Sequence, residues 1–332
     1  MSLSLTLMLT GCDAIYDDEG DCTVRYHVAF RYTNNILEAD AFSNQVKSVT
    51  LLVYDKQGNL VTSQSEAGEA LKRNDYTMTV DVQPGTYDLI AWCGLEDGGS
   101  FVLNGGATPA LMSDAKCRLT REYDAEGNAV SNSPITPLFH AINTDVDFPD
   151  TWGDTLVCTM NLTKDTNTIR VVLTQYYGGQ INPDDFTFSI CDDNGYLAYD
   201  NSPIADEAIT YTEWTKKSMD TDPIPPSDTR ATIDNVSSMI AEIDMSRLMA
   251  DRKDMRLVIS VDGREEPVLS LPLIQLLLYA KGEARSQMSD QRYLDVQDEY
   301  NLIFFINDDN GWYMNAGIFI NGWHMRYQSA DA

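Results

Sequence analysis

Histidine and cysteine are the residues to weigh first, because nucleophilic catalysis and zinc binding both depend on them. The histidines are His27, His140 and His324, scattered through a chain of 332 residues. His27 and His324 sit on the polar phase of alternating stretches, and His140 lies near a loop. Cys12, Cys22, Cys93, Cys117, Cys158 and Cys191 show no C-x₂₋₄-C pairing of the kind zinc sites use. Neither G-x-S-x-G nor H-E-x-x-H occurs. A Cys–His nucleophile would have to be assembled from distant residues, so no catalytic residue is assigned, and no cofactor. Two Asp-Asp-Asn-Gly tetrads, Asp192 to Gly195 and Asp308 to Gly311, offer oxygen ligands. Both lack the D-x-D-x-D-G order and the later Glu of a calcium loop. Each reads as a hairpin turn, and no metal is assigned. Trp312-Tyr313, Trp152 beside Asp150, and Trp214 have the chemistry to stack on sugar rings, although aromatic side chains also fill sandwich cores.

One cysteine stands in a different setting. Leu9-Thr10-Gly11-Cys12 follows the short apolar run Met1, Leu3, Leu5, Leu7 and Met8. An apolar segment ending in small residues is the mark of a secretory signal. A Cys directly after Leu-Thr-Gly resembles a bacterial lipobox, in which the signal is cut before the Cys and the Cys is acylated. Two or more acyl chains anchor a protein stably where a single chain does not. Cys12 is therefore the candidate lipidation site, and the other reading is a free Cys on a frayed terminus. No Lys or Arg precedes the apolar run, so the true start is expected upstream of Met1. Residues 1–11 read as an incomplete signal peptide and 12–24 as a lipidated acidic tether rich in Asp13, Asp17, Asp18, Glu19 and Asp21.

Charge narrows the partners. Lys and Arg total 23 against 51 Asp and Glu, a net charge of −28, which excludes the basic footprint of a nucleic-acid binder. It also disfavours passive adhesion to anionic membranes. The longest later apolar run, Leu269 to Ala280, is too short and too interrupted to span a bilayer. If Cys12 carries lipid, five cysteines remain, read as isolated core thiols or as at most two disulfides.

The elements that would position any site are strands. Val24 to Tyr32 alternates apolar and polar residues with the period of a half-buried strand. Val46 to Tyr54 follows, and Gly58 supplies the turn before Leu60. Tyr76 to Val82 meets Pro84-Gly85, and pairing resumes through Asp88 to Trp92. Lys116 to Tyr123 and Asp154 to Leu162 complete the first set. A second set opens at Thr166-Asn167, and its Asp192 to Leu197 turn repeats the order of Asp55 to Leu60. Pro223, Pro225 and Pro226 mark a polar excursion, after which Ala231 to Met245 and Met255 to Asp262 read as strands. Pro272 to Tyr279 reads as a short buried helix, since Pro is tolerated in a first turn. Tyr300 to Ile306 and a return through Ile318, Ile320 and Trp323 form a closing hairpin. Closely spaced strands with Gly-rich turns and no long amphipathic helix predict a β-sandwich. The repeat places a boundary near Lys164, between all-β units of residues 25–163 and 164–332.

Several stretches together carry a family resemblance. Cys12 to Asp18, Ala39-Asp40-Ala41-Phe42, Val53-Tyr54-Asp55 with Gly58, and Pro84 to Trp92 resemble the N-terminal part of FimB-type fimbrial anchors. Ser246-Arg247-Leu248, Tyr293 to Tyr300 and Ile320 to Trp323 resemble the later part, with Val296 where a basic residue is usual. The resemblance implies two tandem transthyretin-like Greek-key β-sandwiches. It also implies an outer-membrane lipoprotein that holds a fimbrial shaft to the cell surface and limits its length. The major shaft subunit would then be the partner, taken by strand addition at an open sheet edge. The reading from a different class is a surface glycan-binding lipoprotein.

Overall fold

The computed structural model describes residues 24–325 except 97, 152, 176–178, 221–236, 283–284, 308 and 314–316. The signal and tether, the Pro223–Pro226 excursion and Trp152 therefore fall outside the described residues. The chain opens with β1 (Arg25–Arg31), β2 (Ser48–Tyr54), β3 (Leu60–Ala67), β4 (Thr77–Val80) and β5 (Gly85–Cys93). Short strands β6 (Phe101–Leu103), β7 (Cys117–Leu119), β8 (Glu122–Tyr123) and β9 (Ala129–Ser131) come next. Then follow β10 (Phe139–Phe148), β11 (Thr155–Asn161), β12 (Thr163–Lys164), β13 (Thr166–Gln175), β14 (Phe186–Asp192), β15 (Tyr196–Leu197) and β16 (Ile209–Thr212). The last group is β17 (Thr215–Asp220), β18 (Ser237–Ser246), β19 (Arg256–Val261), β20 (Leu269–Pro272), β21 (Glu299–Ile306), β22 (Ile318–Ile320) and β23 (Trp323–Met325). The protein is all-β, as its periodicity predicts, and among the described residues α-helix is confined to one turn at Phe42–Gln45 and to α1 (Leu273–Tyr279) and α2 (Asp290–Val296).

The strands form two copies of one arrangement. In the first, β4-β1-β11 faces β3-β2-β5-β10; in the second, β18-β13-β21 and β16-β14-β19-β20 keep the same order. In both copies the opening strand pairs parallel with a later one, β1 with β11 and β13 with β21. The repeated Asp-to-Leu turn falls at the same place in each, directly after β2 and after β14. The sequence repeat is thus a repeat of topology.

The apolar periodicity explains the layers. Tyr26, Val28 and Phe30 of β1 pack with Val49, Leu51 and Val53 of β2 in a first core. The alternate residues Leu52, Tyr54, Ile90 and Trp92 face the other way and belong to a second, larger core. The β2 and β5 runs are nearly all apolar because that sheet is buried on both faces, a pattern usual for two-sided sheets. Its second face is covered by residues 101–138, and these strands also join the second copy. β9 pairs parallel with β16, and β7 pairs with β15. Residues Phe101 to Ser131 precede Lys164 in sequence yet complete the sheets that follow it.

Several elements differ from their sequence reading, and Lys116 to Tyr123 is one: it divides into β7 and β8, which lie in different sheets. In the sequence, Pro134 and Pro137 lead into Leu138-Phe139-His140-Ala141 and no strand period continues beyond it, yet β10 runs for ten residues; its register shifts between Asn143 and Val146, with Asp145 at φ 56, and this breaks the alternation. Helix α2 over Asp290–Val296 has no long apolar stripe, and it is started by the Ser289 side chain accepting from Arg292 N at 3.2 Å. The short helix at Leu273–Tyr279 is found, with Leu273, Ile274, Leu276 and Leu277 buried.

Candidate functional site

The sequence-designated site residue, Cys12, lies outside the described residues. Among the described residues the His and Cys side chains do not converge. His27 is half-buried on β1, with Nδ1 3.2 Å from Thr79 Oγ1. His140, read as near a loop, is instead buried within β10. Its ring lies 4.4 Å from that of Trp92, and its Nε2 is 2.9 Å from Tyr199 O. Burial holds its pKa down to about 4, so the ring is neutral. Cys93, Cys117, Cys158 and Cys191 are free thiols, and burial pushes the first two well above the ordinary range. Among the described residues no three His, Cys, Asp or Glu side chains are placed to hold a metal ion.

The Asp192–Gly195 tetrad is occupied structurally. Asp193 pairs with Arg252 at 2.5 Å, and the wholly buried Asn194 donates to Arg247 O at 2.9 Å. Tyr211 Oη donates to Asn194 Oδ1 at 2.7 Å, so this turn is tied to β16. Of the aromatic candidates, Trp312 packs against the second core and bridges to Ile306. Trp214 is half-buried with its indole nitrogen turned inward. Both are thus partly covered by their own fold.

Two polar clusters went unread in the sequence, because each joins residues distant along the chain. The first surrounds Asp165, which is fully buried at the passage from the first copy to the second. Asn201 Nδ2 donates to Asp165 Oδ1 at 2.8 Å, and Arg247 stands 3.6 Å from it while pairing with Asp295 at 2.8 Å. Burial pushes the Asp165 carboxyl up to about 7 despite the opposing guanidinium. The nearby Lys164–Asp298 pair, at 2.5 Å, fastens the same passage to the start of β21.

The second cluster is a cleft of about 360 Å³ lined by Lys116, Arg118, Arg121, Tyr123 and Tyr196, among others. Arg118 lies over the Tyr196 ring at 5.7 Å, and Asp206 holds both guanidiniums at 2.7 and 2.8 Å. Three of the few cations of a strongly acidic chain meet here. All three precede Lys164, whereas Tyr196 and Asp206, the partner of both arginines, come from beyond it.

Sheet edges are the other candidate surface. β17 ends its sheet with Lys216 and Lys217, and β20 ends in Pro272; charge and Pro are the usual guards against stray pairing. β3 is polar and largely exposed, and β4 spans only four residues. β11 is different. It spans seven residues, Thr-Leu-Val-Cys-Thr-Met-Asn, without charge, Pro or Gly, and Val157 is 56% exposed.

An all-β protein whose facing sheets repeat one strand order is a β-sandwich protein, and the solved structures below share that fold. This chain belongs to the family of fimbrillin-A associated anchor proteins Mfa1 and Mfa2, whose family model matches residues 18–329. It is similar to a Bacteroides thetaiotaomicron protein described as a candidate polysaccharide binding protein, at 30% identity and TM-score 0.76, covering 93% of this chain and 100% of that one. A candidate adhesin from the same species is 28% identical with TM-score 0.76, covering 91% of this chain and 97% of that one. The fimbrial anchor protein Mfa2 of Porphyromonas gingivalis shares the fold at 15% identity and TM-score 0.64, covering 92% and 100%. No curated protein sequence matches significantly. The expected kinship with fimbrial anchors is shown, and a fimbria-associated role follows from it. The described residues contain no helix long and apolar enough to cross a membrane.

Proposed function

We propose that this protein is an outer-membrane lipoprotein that anchors a fimbrial shaft to the cell surface and limits the length of that shaft. The observation that carries the reading is the anchor-family match from residue 18 to 329, beginning six residues after Cys12. Lipid on Cys12 would fix the chain to the membrane, and the acidic tether would hold its sandwiches clear of the surface. Two all-β units, 25–163 and 164–332, would then present their edges to the major shaft subunit. Main-chain pairing gives affinity in such contacts, and pockets for alternate side chains give register. Labelled palmitate should enter the protein and be lost in Cys12→Ala, with release of that variant from the membrane fraction. Labelling that survives the substitution overturns the lipid anchor.

A second reading, a surface glycan-binding lipoprotein, draws on the tyrosine- and arginine-lined cleft and on the 30%-identical relative described as a candidate polysaccharide binder. Glycan pulldown set beside capture of purified shaft subunit separates the two. Retention on glycan that is lost in Arg118→Ala, with no capture of subunit, would favour the second reading.

A further inference from the structure

The two copies of the fold are not equally complete. In the second, β21 is covered by β22, which lies antiparallel to it with Leu302 opposite Ile320. Ile318 and Ile320 of β22 are both buried there. In the first copy β11 holds the position of β21, and among the described residues it pairs with β1 alone. No described strand occupies the place of β22.

The backbone of β11 is turned to receive one. Arg25 N donates to Asp154 O, and Leu162 N donates to Arg31 O. The even-numbered peptide groups of this stretch therefore face β1, and by the two-residue period those of Thr155, Val157, Thr159 and Asn161 face outward. One outward acceptor, Thr159 O, takes a bond of 3.0 Å from Asn143 Nδ2 and retains a second lone pair. The inward side chains are unevenly covered: Met160 is fully buried, whereas Leu156 and Cys158 are half-buried at the rim of the first core. Every other long edge of the described sheets is polar, lysine-bearing or proline-ended.

We propose that the β11 edge is the acceptor for an extended segment of a fimbrial subunit, laid antiparallel to β11 in the place that β22 fills in the second copy. This rests on the anchor reading above and adds the edge, the direction and the chemistry of the occupant. Apolar side chains of the segment would alternate, covering Leu156 and Cys158 as Ile318 and Ile320 cover the second core. Asp147, Asp150 and Asp154 are exposed around the start of β11. An antiparallel segment brings its C-terminal end to those carboxylates, so Lys or Arg is expected just beyond its last apolar residue.

The test uses the full chain in detergent and shaft subunits dissociated from fimbriae of the same cells, immobilised as the probe. Val157→Pro and Thr159→Pro remove outward donors while leaving the bonds to β1 in place. Each should weaken binding about tenfold or more with an unchanged melting temperature. Val157→Lys supplies the missing edge guard and should act in the same direction without disturbing the backbone. In the wild-type complex the Val157 amide should gain hydrogen-exchange protection. If the unsubstituted protein captures no subunit, the anchor reading itself fails. If it does, and all three variants bind as well as wild type or only Thr79→Pro on β4 lowers binding, the anchor reading stands and the β11 edge is overturned. A dimer that Val157→Lys converts to monomer, with capture unchanged, identifies a second copy as the occupant and also overturns the proposal. So does a gain in subunit capture on deleting residues 326–332, which would make the chain's own end the occupant.

Discussion

Asp165 shows how one buried group can set a stability profile. Its carboxyl is wholly buried, and Asn201 and the more distant Arg247 offset its ionisation only in part. With a folded pKa of about 7 against an ordinary 3.8, the native state holds a proton that the unfolded state has released. Stability from this group is therefore full below the ordinary value and is lost as pH rises toward and through about 7. His140, held down to about 4, acts oppositely: its contribution is lost as pH falls from the ordinary histidine range toward that value. Asp165→Asn keeps the shape and removes only the first effect. The difference in melting temperature between variant and wild type should grow in the variant's favour as pH rises from about 4 to about 8. A constant difference across that range would show that Asp165 is ionised in the native state throughout.

At the scale of elements, Gly94 governs how β5 leaves its sheet. Its φ is +97, and a Cβ there would lie 2.0 Å from Pro137 O, a backbone atom with little room to move. Gly94 N also donates to Ser48 O at 3.1 Å, which fixes the exit against β2. Gly94→Ala combines left-handed strain with a backbone collision, so a loss of about 3 kcal/mol or more is expected. Urea unfolding would measure it, and a loss below about 1 kcal/mol would mean that the Pro137 loop yields readily. The same loop begins the passage into β10, so the strain would be felt where the two cores meet.

For the whole molecule, residues Phe101 to Ser131 decide cooperativity. They cover the outer face of β2 and β5 and also supply β9 to β16 and β7 to β15. The two cores are thus built on a shared sheet. Unfolding of the intact chain should follow one transition by near-ultraviolet circular dichroism and by fluorescence. A fragment of residues 164–332 lacks β6 to β9, which bares one edge of β16 and an apolar face, and it should aggregate or remain unfolded. A soluble, sharply melting fragment would show that residues 164–332 suffice for their own core. That outcome would support separate units divided at Lys164.

Sequence alone was enough for the class of fold, because alternation at period two is a local property that burial on one face imposes. It marked β1, β2, β13, β14 and β21, the hairpin turn at Gly58, and the buried helix at Leu273–Tyr279. Asp192 to Gly195, which also reads as a hairpin turn, instead leads from β14 to β15, which pairs with β7 in another sheet. The sequence also carried the repeat and, through stretches spread from Cys12 to Trp323, the kinship with fimbrial anchors. β10 was legible only at its start, since a bulge at Asn143 to Val146 hides its period. The meeting of Asp165 with Arg247, of Arg118 with Asp206, and of β9 with β16 was decided by tertiary structure. Those contacts join residues 80 to 88 positions apart, and no local pattern encodes them. The open edge of β11 belongs to the same category. Its seven residues read as an ordinary strand, and only the register of its neighbours shows that one side of it has no described partner.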